Sequence, residues 1–257
     1  MNWTVCYCLD GFRIFAARSD NTTSSMSKRN KLQKFAELLT FPNVYENFNP
    51  KEPQLHGLNG APVSLKGEWC ARHFHNDNPI VVELACGRGE YTLGMGRISP
   101  NRNFIGVDIK GARIWKGAGI ALEEELENVA FLRTRIEQLH LFFEPGEISE
   151  IWITFPDPFL QKSKANRRLT APRFLNTYKK LLRKDGLIHL KTDEPNLYEF
   201  TLETLQEYKG AQVLYHSDDI YSLEELPMPE LEIKTYYERM HLAAQKTIKY
   251  IRFRLEQ

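Results

Sequence analysis

From residue 79 onward, short apolar runs rich in β-branched residues alternate with longer stretches in which apolar residues recur at helical spacing. The first run, Pro79–Ala85, ends on a glycine turn, as a strand buried on both faces does. A helix-like stretch and a second run, Asn103–Asp108, follow it. Residues 111–126 are helical by composition. Strands are predicted near Val129–Leu132 and over Glu150–Phe155, with a short helical segment between them. Phe174, Leu175, Tyr178, Leu181 and Leu182 sit about three or four apart, which predicts an amphipathic helix. Asp185-Gly186 turns into a strand over Leu187–Thr192; a helix near 195–208, a strand at 211–215 and a last alternating strand over Thr247–Arg254 complete the pattern. Strands separated by helices build right-handed βαβ units, so the expected fold is α/β with a doubly wound, mostly parallel sheet.

Residues 76–257 then form one catalytic-type domain, and residues 26–75, with scattered Pro, Gly and aromatic residues, read as an extension that packs on or beside it. Residues 1–25 read as an upstream extension or arm. The composition turns basic and helix-compatible just after Met26, which is the expected natural start.

Composition narrows the class without deciding it. The 257 residues carry 34 Lys+Arg against 33 Asp+Glu, a net +1, so any nucleic-acid surface must come from where charge sits rather than from its sum. No apolar run is long enough for a membrane-spanning helix. Cys6, Cys8, Cys70 and Cys86 have no zinc-site spacing and are too sparse for a disulfide scaffold, which points to a reducing cytoplasm. His73 and His75 lack a nearby Cys or carboxylate partner, and no metal is expected.

Candidate chemistry begins at the first turn. Gly87 and Gly89 directly follow the first strand, Glu83 stands four residues before Gly87, and Asp108 ends the next strand about 20 residues on. Glycines there let a ligand approach the backbone, and an acid at the second strand end suits the hydroxyls of an adenosine ribose. Thr92 stands where a dinucleotide fingerprint would carry its third glycine. A carboxylate beside the loop repels a pyrophosphate but suits the ammonium and sulfonium of S-adenosylmethionine, so the sign of the charge favours the methyl donor over NAD.

A second motif, Phe155 to Phe159, follows the fourth strand at the sheet edge where open α/β folds place ligands. Pro156 and Pro158 stiffen the backbone on both sides of Asp157, as a positioned group requires. From Gln161 to Lys184 the chain has no acid but nine Lys and Arg residues. Those before the predicted helix, Lys162, Lys164, Arg167 and Arg168, are the expected phosphate contacts, while the rest form a solvated helix face.

Together, E-x-x-x-G-x-G at Glu83–Gly89, F-I-G-V-D at Phe104–Asp108, T-F-P-D-P at Thr154–Pro158 with Arg167-Arg168, K-T-D at Lys191–Asp193 and T-Y-Y-E-R at Thr235–Arg239 resemble the tRNA (guanine-N7)-methyltransferases. The resemblance runs from about residue 30 to the end. It implies a class I methyltransferase (Rossmann-like) with a seven-stranded sheet whose last strand is antiparallel, acting on a guanosine N7 in the variable loop of tRNA with S-adenosylmethionine as donor. By position it makes Glu83, Gly87, Gly89, Asp108 and Asp157 cofactor-binding, with Asp157 also catalytic, and Asp193, Thr235 and Glu238 contacts to the guanosine. Arg135 stands where the family often has an Asp near the cofactor. Gln161 stands where it has a substrate Lys, with Lys162 adjacent.

Guanine N7 has a free lone pair and no proton, so the chemistry implied needs positioning and a carboxylate, Asp157 or Asp193, near the charge that grows on the purine. Phe159, Tyr236 and Tyr237 are candidate stacking residues or ordinary packing. Two other readings remain: a same-fold methyltransferase acting on another RNA base or amino group, and a non-catalytic RNA-binding protein of this fold. A dinucleotide-dependent oxidoreductase is third.

Overall fold

The computed structural model describes residues 29–256, and the expectations about Met26 and residues 1–25 lie outside them. In chain order the elements are α1 (Lys31–Leu38), β1 (Val44–Asn47), β2 (Leu55–His56), β3 (Pro62–Val63), β4 (Ile80–Leu84), α2 (Glu90–Ile98), β5 (Asn103–Asp108), α3 (Gly111–Glu123), β6 (Val129–Arg133), β7 (Ile148–Thr154), α4 (Pro172–Leu181), β8 (Leu182–Thr192), α5 (Pro195–Glu207), β9 (Ala211–Ser217), α6 (Tyr236–Ala243) and β10 (Lys249–Leu255). They build one sheet in the order β3-β2-β1-β6-β5-β4-β7-β8-β10-β9. The last strand, β10, runs antiparallel to both of its neighbours, β8 and β9, as expected.

The centre of the sheet is where the apolar runs are longest. Ile80, Val81, Val82 and Leu84 of β4 are all buried, flanked by equally buried β5 and β7 in parallel register. A strand covered on both faces gains from every side chain, about 1.5–3 kcal/mol for each fully buried Val, Leu or Ile before the entropy of ordering is set against it. β4 itself carries one ionisable residue, Glu83, paired in register with Gly106 on one side and Trp152 on the other.

The sheet has ten strands rather than seven. The extra three come from residues 44–63: β1 adds in parallel to β6, and β2 and β3 follow it antiparallel. The same stretch of chain supplies core residues. Trp69 is fully buried, donates its indole N–H to the Phe142 carbonyl at 2.9 Å and stacks on Phe143 at 5.4 Å. β8 begins at Leu182, before the expected Leu187, because Leu182 pairs with Ile148 across an irregularity that leaves Arg183, Lys184 and Asp185 exposed.

His73 faces inward, with Nδ1 2.8 Å from the Tyr45 hydroxyl, and burial, with His75 nearby, lowers its pKa to about 4. Among the described residues no cluster of three or more His, Cys, Asp or Glu side chains forms a metal site. Nor is any described helix long and apolar enough to cross a membrane.

Candidate active site

The carboxyl ends of β4, β5 and β7 meet at one edge of the sheet. Two of these strands leave it through a residue forced into the left-handed region, Ala85 after β4 (φ 58°) and Phe155 after β7 (φ 47°). Such conformations cost of order 1–2 kcal/mol for residues with a side chain, and they persist where the surroundings dictate them.

Ala85 is shared by two cavities. The larger, of about 490 Å³, is lined by Asp108, Ile109, Thr134, Arg135, Ile136, Phe159, Asn166 and Arg167, among others. The smaller, about 90 Å³, lies against Glu83, Gly87, Glu90, Thr154, Phe155, Thr235, Tyr236 and Tyr237.

Glu83 is 2% exposed at the end of β4. Its Oε2 accepts from the Thr92 amide at 2.8 Å and from the Thr92 hydroxyl, and its Oε1 accepts from the Thr154 hydroxyl at 2.5 Å. Burial pushes its pKa up to about 7 against these three hydrogen bonds, and neighbouring Asp108 adds to the rise. A cation arriving beside it would favour the ionised form.

Asp108 is held equally firmly. Oδ2 accepts from the Gly87 amide at 2.9 Å and Oδ1 from the Lys110 amide at 2.8 Å, which leaves each oxygen a further acceptor position toward the larger cavity. Gly87 has φ +59°, and a Cβ there would come no nearer than 4.0 Å to anything, so the loop presents bare backbone to open space. Gly89 does different work: a Cβ there would lie 2.5 Å from the Phe131 ring, so this glycine lets the turn pack on β6 and start α2.

The sequence-selected residues of the β7 loop divide. Asp157 is exposed, and its Oδ1 accepts from the Phe159 amide at 3.1 Å. It lines neither cavity, while Phe155 and Phe159 on either side of it each line one. Gln161, Lys162, Lys164 and Arg167 are exposed, with Lys162 to Arg167 forming a short 3-10 helix. Arg168, also an expected phosphate contact, differs from these in being buried, with its Nε donating to the Pro158 carbonyl and its Nη2 to the Phe159 carbonyl.

The residues of the last third also divide. Asp193 Oδ2 is 2.7 Å from Lys246 Nζ and 3.4 Å from His241 Nδ1. His241 in turn stacks on Phe155, which joins this acid to the β7 loop. Thr235 caps α6 and, with Glu238, closes a capping box at its start. Glu238, the expected guanosine contact, lies at the start of α6 just behind the cavity-lining Thr235, Tyr236 and Tyr237. It is fully buried, with Oε1 2.8 Å from Lys191 Nζ and accepting from the Tyr221 hydroxyl at 2.6 Å, and so holds α6 in place beneath the cavity. Tyr236 and Tyr237 beside it are half exposed with their rings edge to face.

Sequence reasoning missed Thr92 and Thr154, the two partners of Glu83, and Ile109, Ile136 and Asn166 in the larger cavity wall. Thr154 directly precedes Phe155 in the quoted motif, so its place at a strand end was the available signal.

A family model described as a putative methyltransferase matches residues 77–251. The chain is 51% identical over 217 residues to the tRNA (guanine-N(7)-)-methyltransferase of Porphyromonas gingivalis, covering 84% of this chain and 86% of that protein. It is 46% identical over 231 residues to the enzyme of the same name from Christiangramia forsetii, covering 90% and 100%. Among solved structures, the 16S rRNA methyltransferase KamB superposes with a TM-score of 0.56 at 14% identity, over 76% of this chain and 95% of that one. The 16S rRNA (adenine(1408)-N(1))-methyltransferase of Catenulisporales acidiphilia gives 0.55 at 15% identity over the same shares. At such identities these two speak for the fold alone, a class I methyltransferase sheet.

Proposed function

The chain belongs to the tRNA (guanine-N(7)-)-methyltransferase family, and we propose that it methylates N7 of a guanosine in the variable loop of tRNA, in the cytoplasm, with S-adenosylmethionine as donor. The observation that carries this reading is the tie between Gly87 and Asp108 at 2.9 Å beside a cavity of about 490 Å³. That volume is within the usual range for a bound small molecule, and Ile109 and Ile136 offer it apolar walls. The residues fit an adenosine carrying a cationic tail: an acid with open acceptor positions, a loop without a Cβ, and a second buried acid, Glu83.

S-adenosylmethionine, when bound, supplies a methyl group activated on a sulfonium. Asp108 would take the ribose hydroxyls, Arg135 borders the same cavity, and Glu83, which lines the adjoining smaller cavity, would be ionised by the arriving charge and would face the cationic end. Since N7 carries no proton, the chain supplies no base. Its task is to orient the purine and to offset the positive charge the ring acquires. Asp157, on a loop stiffened by two prolines, and Asp193, tied to that loop through His241 and Phe155, are the carboxylates near that charge. An acid facing the guanine N1 and N2 hydrogens rejects adenine, which lacks them. Tyr236 and Tyr237 offer ring faces to a base drawn out of its tertiary contacts. Lys162, Lys164 and Arg167 contact backbone phosphates.

Incubation with labelled donor and unmodified tRNA, followed by nucleoside identification, tests the reading. 7-Methylguanosine in the variable loop supports it. Label in another nucleoside, or none in RNA while the donor binds, overturns it.

A further inference from the structure

Arg168 stands beside three exposed cations, Lys162, Lys164 and Arg167, yet it is only 7% exposed itself. Its Nε donates to the Pro158 carbonyl at 3.0 Å and its Nη2 to the Phe159 carbonyl at 3.3 Å. The guanidinium lies 4.4 Å from the ring centre of Phe200 on α5. A buried cation held by two neutral carbonyls and an aromatic face has given up its hydration for a fixed place rather than for a carboxylate partner.

The place it fixes is the backbone that carries Asp157. Phe159 has φ 41°, a strained conformation for a bulky residue, and its amide donates to Asp157 Oδ1 at 3.1 Å. Asp157, Pro158 and Phe159 form one tight turn. Its carboxylate closes the turn on the outside, and Arg168 grips two consecutive carbonyls from the inside. Loss of that grip frees Phe159 to relax toward ordinary φ values, and the Asp157 carboxylate swings with it.

We propose that Arg168 is a positioning residue for Asp157, clamping the Pro158 and Phe159 carbonyls against α5 so that the carboxylate keeps one direction toward the purine. This rests on the reading of the Asp157 loop as the site of methyl transfer. Lysine cannot replace arginine here: a single ammonium neither spans both carbonyls nor lies flat on Phe200.

The test compares Arg168→Lys with the unaltered protein in three measurements: steady-state methylation with tRNA varied, tRNA binding against salt, and amide hydrogen exchange at Phe159. The clamp predicts a kcat lowered by roughly 10- to 100-fold with KM for tRNA and the salt slope unchanged, and faster exchange at the Phe159 amide. Arg168→Ala, which removes the charge, is taken through the same measurements, and unaltered kcat with a raised KM and a flatter salt slope in it would make the residue a phosphate contact and overturn the proposal. So would unchanged exchange at Phe159, whatever the activity. If Arg168→Lys does not fold, Phe200→Leu removes only the aromatic face. Lowered kcat at unchanged KM then supports the clamp, and full turnover overturns it. Failure of the unaltered protein to make 7-methylguanosine would instead refute the functional reading, which the exchange measurement does not depend on.

Discussion

Lys191 at the end of β8 and Glu238 in α6 form an ion pair of 2.8 Å with neither side chain exposed. Lys191 Nζ also donates to the carbonyls of Leu231 and Ile233, each at 3.1 Å. One ammonium thus ties the sheet, the preceding turn and α6 together, which is how Thr235 and Tyr236 come to line a cavity. Burial lowers the pKa of Lys191 to about 8, with Glu238 opposing the shift. Glu238→Gln leaves that charge without its partner and should destabilise the fold by about 3–5 kcal/mol. Adding Lys191→Met should recover much of the loss. Urea unfolding of the two variants checks this, and equal stability of both would mean that the pair does not act as a unit.

Asp157 is exposed, so its removal should leave the fold intact. Asp157→Ala should lower methyl transfer by about 10²–10³-fold, the scale seen when one preorganised charge-stabilising group is lost. Single-turnover rates with saturating donor and tRNA measure it. Turnover within a few-fold of normal would remove Asp157 from the chemistry.

Glu83 titrates near 7 in the folded chain and near 4.5 when unfolded. Between these values the native state holds the extra proton, so its contribution to stability falls as pH rises from about 4.5 to 7 and is constant above. The full difference is on the order of 3 kcal/mol. His73 slopes the other way over pH 4 to 6.5, so only the difference between the unaltered protein and Glu83→Gln is diagnostic. The variant should gain in relative stability toward pH 7. Donor affinity should strengthen with rising pH up to about 7 in the unaltered protein, and calorimetry should show no such dependence in Glu83→Gln.

Arg167 is exposed at the mouth of the larger cavity. Arg167→Ala should weaken tRNA binding and reduce the slope of log affinity against log salt by about one. Filter binding across a salt series decides it, and an unaltered slope would move the phosphate track elsewhere.

The central strands were legible because their residues are apolar on both faces: Asn103–Asp108 reads as a strand and is one. The amino-terminal strands were not. β2 and β3 are two residues each, and β1 carries Glu46 and Asn47, polar residues that are buried because Arg133 and Thr134 answer them. Alternation of side chains cannot announce a strand whose polar positions are satisfied by partners far along the chain. The same limit applied at the site. Glu83, Asp108 and Asp157 stand out by spacing, whereas burial separates Arg168 from Arg167 and hides Glu238, and burial is a property of the folded chain.

The pairing of β1 with β6 decides which strand borders the sheet. Without it β6 would end the sheet as an open edge of buried hydrophobic residues. With it, the border is moved to β3, two residues long and carrying Pro62, which cannot donate to an incoming strand. A fragment cut at residue 76 would bare that edge and the apolar bed under Trp69, and would clump edge to edge rather than remain monodisperse.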